Sequence, residues 1–250
     1  MTGLNLLLLI GVGLVGGAMN AVGGGGSFVT LPALIGVGVP SVAANASSSV
    51  ALFPGSMAST WACRDRLVSV GDLPLRLLVV VTALGGLVGA GLLVITPQAV
   101  FDAAVPWLLL SATLIFAAGP QAGAILRERV TLTTKPLLVA QFVVGIYGGY
   151  FGGAVGIMML AIWSLFSSAD VQAMNPPKTL LLAASRAIAV IVFIATGNVA
   201  WLQTLPVLLA GIAGGYIAAW AGQRISPRVI RAGVIIVMSA ITIAFFTGLL

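Results

Sequence analysis

Histidine is missing from this 250-residue sequence, and cysteine occurs once, at Cys63. Zinc and haem sites therefore lack their usual ligands, and no disulfide can form within one chain; no metal or cofactor is expected. Charge is nearly as scarce, at 6% of residues against roughly a quarter in ordinary soluble domains. The acidic residues number five (Asp65, Asp72, Asp102, Glu128 and Asp170), and each falls in or beside a joint between apolar runs. A membrane enzyme working on a lipid phosphate needs acids or bases near the midplane, so this scarcity counts against one. The Lys and Arg residues total 11 but stand singly at the ends of apolar runs. They read as topology signals, not as a nucleic-acid surface.

What the sequence has instead is apolar length: 60% hydrophobic residues and a mean hydropathy of +1.19. Runs of about 20 residues cross a hydrocarbon core, and they recur from end to end, so the lipid bilayer is the expected surroundings. The N-terminal stretch resembles a signal peptide in length but lacks the basic n-region such a peptide needs, and is expected to belong to the fold. Breaks divide the chain into segments 3–22, 27–38, 42–62, 73–95 and 101–118, then 136–152, 154–167, 177–196, 200–222 and 229–249. The second of each five is short: 12–14 residues of helix rise only about 18–21 Å against a core of about 30 Å. The expectation is an all-α integral membrane protein with about eight full transmembrane helices and two short, re-entrant or half helices.

The two sets of five look like copies. At an offset of 132, Gly13, Gly16, Gly17 and Gly24 fall on Gly145, Gly148, Gly149 and Gly156; at 130, Ala43, Asn45 and Pro97 fall on Ala173, Asn175 and Pro227. At 129, Leu73, Gly85, Gly86 and Ala90 fall on Leu202, Gly214, Gly215 and Ala219. Residues 1–120 thus form a first repeat, 121–135 a cytoplasmic linker and 136–250 a second repeat, within a single membrane domain. Basic residues cluster at Arg64 and Arg66, at Arg127, Arg129 and Lys135, and at Arg224, Arg228 and Arg231, joints that the positive-inside rule places in the cytoplasm. The uncharged joints at 96–100 and 197–199 then lie outside. A multi-pass protein of the cell (inner) membrane follows, with both termini outside and the halves inverted, a recurrent plan of secondary transporters.

Each first-and-second pair reads as a hairpin. Its tips are the run "NAVGGGGSF", 20–28, and "FGGAVG", 151–156. A helix broken in lipid is tolerated only where its freed backbone groups face protein or a watery cavity, and a helix start is a ready anion seat. Gly24, Gly25, Gly26 and Ser27 in the first tip, and Gly153 and Gly156 in the second, are the candidates. Gly13, Gly16, Gly17, Gly85, Gly86 and Gly89 read instead as packing glycines. Arg186 lies mid-segment, some 15 Å from either end of 177–196 and too deep for easy snorkelling. No carboxylate is expected beside it, so its guanidinium reads as the partner of an anion, with a structural role against backbone carbonyls as the alternative. Asn45 and Ser48 on the third segment and Asn175 and Lys178 on its counterpart complete the candidate set. In "NPPK" (175–178) Asn175 looks like a helix cap followed by proline in the first turn. Lys178 reads equally as a topology charge.

The stretches "GGAMNAVGGGGSFVTLPAL" and "AANASSSVAL", then "GGLVGAG", and a second copy "GIYGGYFGGAVGIMML" with "NPPKTLLLAASR" resemble the TauE/SafE, or sulfite exporter, family of membrane transporters over nearly the whole chain. The second copy departs from the family pattern, with "GGAVGIM" for a glycine-rich core and "NPPKTLL" for the usual Ala-x-Gly-Thr-Ser. The resemblance implies a secondary transporter, in the export direction, of small sulfur-containing anions such as sulfite or organosulfonates, by alternating access. An inside-negative potential of about 100 mV drives out each negative charge with about 2.3 kcal/mol, so uniport suffices. An anion channel and an importer share the same site chemistry.

Overall fold

A computed structural model describes residues 2–70, 73–127, 134–153, 155–166, 171–221 and 227–247. Ten α-helices account for most of them: α1 Gly3–Gly23, α2 Ser27–Gly36, α3 Ser41–Ala62, α4 Leu75–Ile95, α5 Gln98–Arg127, α6 Thr134–Tyr150, α7 Val155–Phe166, α8 Val171–Ala195, α9 Trp201–Ala221 and α10 Pro227–Phe246. A 3₁₀ turn, Arg64–Arg66, follows α3. Local chemistry sets several ends. Thr2 caps α1 by accepting from the Asn5 amide at 3.3 Å, and Gly24, at φ 73°, closes α1 through its own N–H to the Asn20 carbonyl. That left-handed position suits glycine alone. Pro40 and Pro74 stand just ahead of α3 and α4.

Among the described residues, five helices are long and apolar enough to cross a membrane, over 3–21, 75–95, 98–117, 173–195 and 201–218. The sequence reading expected eight. Helix α3 has the length, at 22 residues, but its asparagine, serines and threonine dilute its hydropathy. It can carry them because Asn45, Ser47, Ser48, Ser49 and Ser56 are all buried against other helices. Helix α6, with 17 residues, falls short of a full span by itself, and α2, with 10, is short as expected. Large side chains such as Leu7, Leu84 and Leu209 are exposed on the outer surface, while Asn45, Ser47, Ser48, Ser49 and Ser56 of α3 and Lys178, Ser185 and Arg186 of α8 are buried. That is the arrangement a lipid solvent demands.

Two boundaries differ from the sequence reading. Helix α8 starts at Val171, so Asn175 is not its cap; Pro176 and Pro177 sit inside the helix, within two turns of its start, where few intrahelical bonds are forgone. Helix α5 continues to Arg127, through much of the expected linker. The remainder of that linker, 128–133, lies outside the described residues, as do Asp72, Ala154, Asp170 and Arg224.

Helix α1 packs along α9, and α4 along α6; α3 packs on α8 and α9, and α8 also on α4; α2 meets α3 and α10, and α7 meets α8 and α5. Glycines allow the two closest crossings. A Cβ on Gly17 would run into the Gly211 carbonyl, and one on Gly149 into the Gly86 carbonyl. Close backbone approach of this kind is how helices without a hydrophobic drive between them gain van der Waals contact in lipid. Around α6 a polar staple adds to it: Trp163 Nε1 donates to Gln141 Oε1 at 2.9 Å, and Gln141 Nε2 donates to Thr82 Oγ1 at 2.8 Å. These bonds tie α7, α6 and α4 together.

Candidate functional site

The two breaks meet inside the protein. A Cβ built on Gly24 would lie 3.7 Å from the Gly156 amide nitrogen and 3.5 Å from Leu182, so the first turn of α7 abuts the end of α1. Phe28, at the start of α2, and Phe151, in the second break, meet edge to face with ring centroids 6.3 Å apart. In the second tip the left-handed residue is Gly152, at φ 74°, not Gly153 or Gly156. Gly153 is wedged between the Phe151 and Phe28 rings, and Gly156 lies against the Lys178 side chain. In the first tip, the amides of Phe28, Val29 and Thr30 turn back onto the Gly25 and Gly26 carbonyls. Gly26 is packed against the Gly16 carbonyl, whereas a Cβ on Gly25 would have only Met19 Cε near it, at 4.0 Å.

Arg186 is 1% exposed and runs from α8 into this junction. Its Nη1 donates to Asn20 Oδ1 at 2.7 Å and to Ser56 Oγ at 2.9 Å; its Nη2 donates to the Gly152 carbonyl at 3.2 Å. Its Nε has no partner. Among the described residues the one ion pair joins Arg64 to Asp65 on the surface, so the buried guanidinium is held by neutral groups alone. Burying an unpaired charge is expensive, and the bond to the Gly152 carbonyl is the contact that the structural alternative calls for. Two more buried atoms near the second break lack partners. Ser27 Oγ lies 3.8 Å from where a Gly152 Cβ would stand, with Ser49 Oγ 3.3 Å from the same point. Asn45 donates through Nδ2 to the Tyr150 carbonyl at 2.7 Å and leaves Oδ1 unpaired. Ser48 is engaged with Thr30 at 2.5 Å.

A cavity of about 540 Å³ leads away from the Arg186 cluster. Asn20, Leu52 and Gly55 line its inner part, and Cys63, Asn175, Lys178 and Thr179 line the part beside the Arg64–Arg66 turn. Lys178 is 5% exposed and Asn175 exposed. The structure thus gathers Gly24, Gly156 and Lys178 at one contact, and Ser27 and Arg186 around Gly152; Asn175 stands apart, near the cavity mouth. Sequence reasoning passed over Asn20, Ser56 and Gly152. Asn20 was visible as one of two amide side chains in an otherwise apolar α1, and the one beside its break. Ser56 does bond its own backbone, at Leu52, as serines in membrane helices do, and also serves Arg186.

A match to the family described as "Sulfite exporter TauE/SafE" covers residues 9–245. A Haemophilus influenzae protein called "Probable membrane transporter protein" is 30% identical over 250 residues, covering 96% of this chain and 94% of the relative. "Probable membrane transporter protein YfcA" of Escherichia coli K12 is 27% identical, covering 94% and 87%; "Probable membrane transporter protein ORF9" of a Sinorhizobium species is 28% identical, covering 95% and 91%. No solved structure matches the chain.

Proposed function

The chain belongs to the TauE/SafE family and is a membrane transporter, not an enzyme; from that premise we propose that it carries small sulfur-containing anions, such as sulfite or organosulfonates, outward across the cell membrane by alternating access. The observation that carries the reading is Arg186: a guanidinium buried at the junction of two helix breaks, with no carboxylate partner, and with Nε unpaired. A sulfonate or sulfite presents two oxygens at the spacing a guanidinium edge accepts. Ser27 Oγ, which has no partner, and the positive dipole ends of α2 and α7 add to it; the amides of Gly24, Phe28, Val29 and Thr30 are already bonded to backbone carbonyls. Lys178, beside Gly156 on the cavity wall, supplies a second cation on the approach, with Asn175 at the mouth.

Two inverted repeats supply the motion in this proposal. The helix contacts support them, because exchanging α1–α5 with α6–α10 turns α1–α9 into α6–α4, α3–α9 into α8–α4 and α2–α10 into α7–α5, each of which is an observed contact. Counterparts nonetheless sit in unlike surroundings. Asn45 is buried and bonded across to Tyr150, while Asn175 is exposed; Ser48 is bonded to Thr30, while Lys178 lines the cavity. A cavity of about 730 Å³ lies at the α3 start, lined by Pro40, Ser41, Gln98 and Asp102 among others, and the 540 Å³ cavity lies by the basic turn that charge assigns to the cytoplasm. In this reading, exchanging the environments of the counterparts is the step that converts one facing state into the other.

Uptake into proteoliposomes of sulfite, sulfate, thiosulfate and sulfoacetate, each against a carboxylate analogue, tests the substrate. At least one sulfur anion is expected to move saturably and faster than the carboxylate; equal or slower movement of all of them contradicts the assignment.

A further inference from the structure

Arg186 Nη1 meets an amide oxygen, Asn20 Oδ1, at 2.7 Å. A carboxylate fits the same space: aspartate and asparagine are nearly the same size, and the bonds from Asn20 Nδ2, to Leu52 O at 3.5 Å and Ser56 Oγ at 3.4 Å, are long enough that losing them costs little. An aspartate there would neutralise a buried cation at ion-pair distance, and stability alone would favour it. The position is neutral instead. So are the other partners, Ser56 Oγ and the Gly152 carbonyl.

We propose that Asn20 is a positioning and specificity-determining residue: it orients the Arg186 guanidinium while leaving its charge uncancelled, so that the transported oxyanion is the counter-ion the site lacks. The proposal rests on the reading of Arg186 as the anion's partner. Asn20 and Ser56 occupy both hydrogens of Nη1, and Gly152 takes one from Nη2. What remains at the Nε–Nη2 edge is the Nε–H, which has no partner, and the second hydrogen of Nη2. An oxyanion docks across that edge with two of its oxygens, within reach of the neighbourhood of Ser27 and Ser49 around Gly152. No other described side chain on the cluster carries a negative charge to compete with it.

The test is the thermal unfolding midpoint of the purified full-length protein in detergent, titrated with sulfite or methanesulfonate, for the parent, Asn20→Asp, Asn20→Ala and Ser56→Asp. A ligand that binds only the folded state raises the midpoint with its concentration. The parent is expected to respond. Asn20→Asp is expected to be at least as stable as the parent without anion and to respond at concentrations about 100-fold higher or not at all. Asn20→Ala, which removes one bond but no charge, is expected to respond with affinity about tenfold weaker. Ser56→Asp brings a carboxylate to the same nitrogen from another helix and repeats the Asn20→Asp expectation if that variant does not fold. An unchanged response in a folded Asp variant overturns the proposal and leaves the transport reading standing, as does complete loss of response in a folded Asn20→Ala. A parent that responds to neither anion overturns the reading beneath it.

Discussion

The side chain of Lys178 lies along the backbone of Gly156, where a Cβ would stand 3.2 Å from the lysine Cδ and 3.6 Å from Cε. An amine from the second turns of α8 is thereby laid across the opening of α7, on the wall of the cavity that leads toward Arg186. In the proposed function, lysine at that point raises the local concentration of approaching anions, a long-range effect that salt screens.

Replacing Lys178 by Met keeps most of the apolar stem and removes the charge. The expected outcome is a rise in KM of about three- to tenfold at low salt, a smaller rise at high salt, and a kcat within about twofold of the parent. Initial-rate flux at two ionic strengths measures it.

Neighbouring glycines in the first break should respond differently to one methyl group. Gly26→Ala drives a Cβ into the Gly16 carbonyl, 2.9 Å from Asn20 Cβ and 3.0 Å from Leu52 Cδ1, while Gly25→Ala meets nothing closer than 4.0 Å. Gly26→Ala is expected to destabilise by about 1–3 kcal/mol and to lower flux by displacing Asn20. Gly25→Ala is expected to leave the unfolding midpoint close to the parent's. Comparison of midpoints and flux for the two purified variants checks the contrast.

The staple of Trp163, Gln141 and Thr82 is fully paired. Gln141→Leu leaves the Trp163 Nε1–H without its acceptor at a buried site, and a loss of about 1–2 kcal/mol is expected. Affinity for anion should be little affected, because none of the three residues touches the Arg186 cluster. Denaturant unfolding and anion titration on the same preparation separate the two effects.

Cys63 is the one cysteine in the sequence, partly exposed and on the wall of the cavity beside Lys178. A membrane-impermeant maleimide is expected to label it in inside-out vesicles and to leave it unlabelled in right-side-out ones. The reverse pattern contradicts the proposed orientation, and with it the assignment of the cavity to the cytoplasmic face.

The scarcity of charge is what singled out the candidate residues in the sequence. Against so apolar a background, Arg186 and the glycine run at 23–26 stand out, and lipid leaves few reasons to keep either. The contacts around Arg186 were hidden because they join residues far apart: Asn20 and Ser56 lie 166 and 130 positions from it, and no local pattern relates them. Helix α3 has the length that the sequence reading gave it and falls outside a count by hydropathy because of its serines, which are covered by other helices. In α8 the proline pair suggested a start that the helix had already passed: both prolines lie inside it, as its sixth and seventh residues, and forgo two intrahelical bonds.

The central claim is that Arg186 meets the transported anion in a carrier that alternates between two faces. Counterflow in proteoliposomes tests it most directly: vesicles preloaded with unlabelled sulfite, diluted into labelled sulfite, for the parent and Arg186→Ala. The account predicts transient accumulation of label in the parent, the mark of a carrier, and its loss in a folded, membrane-inserted Arg186→Ala, consistent with about 2–5 kcal/mol of lost binding. Counterflow of undiminished rate and affinity in Arg186→Ala, or flux in the parent that neither saturates nor shows counterflow, would contradict it.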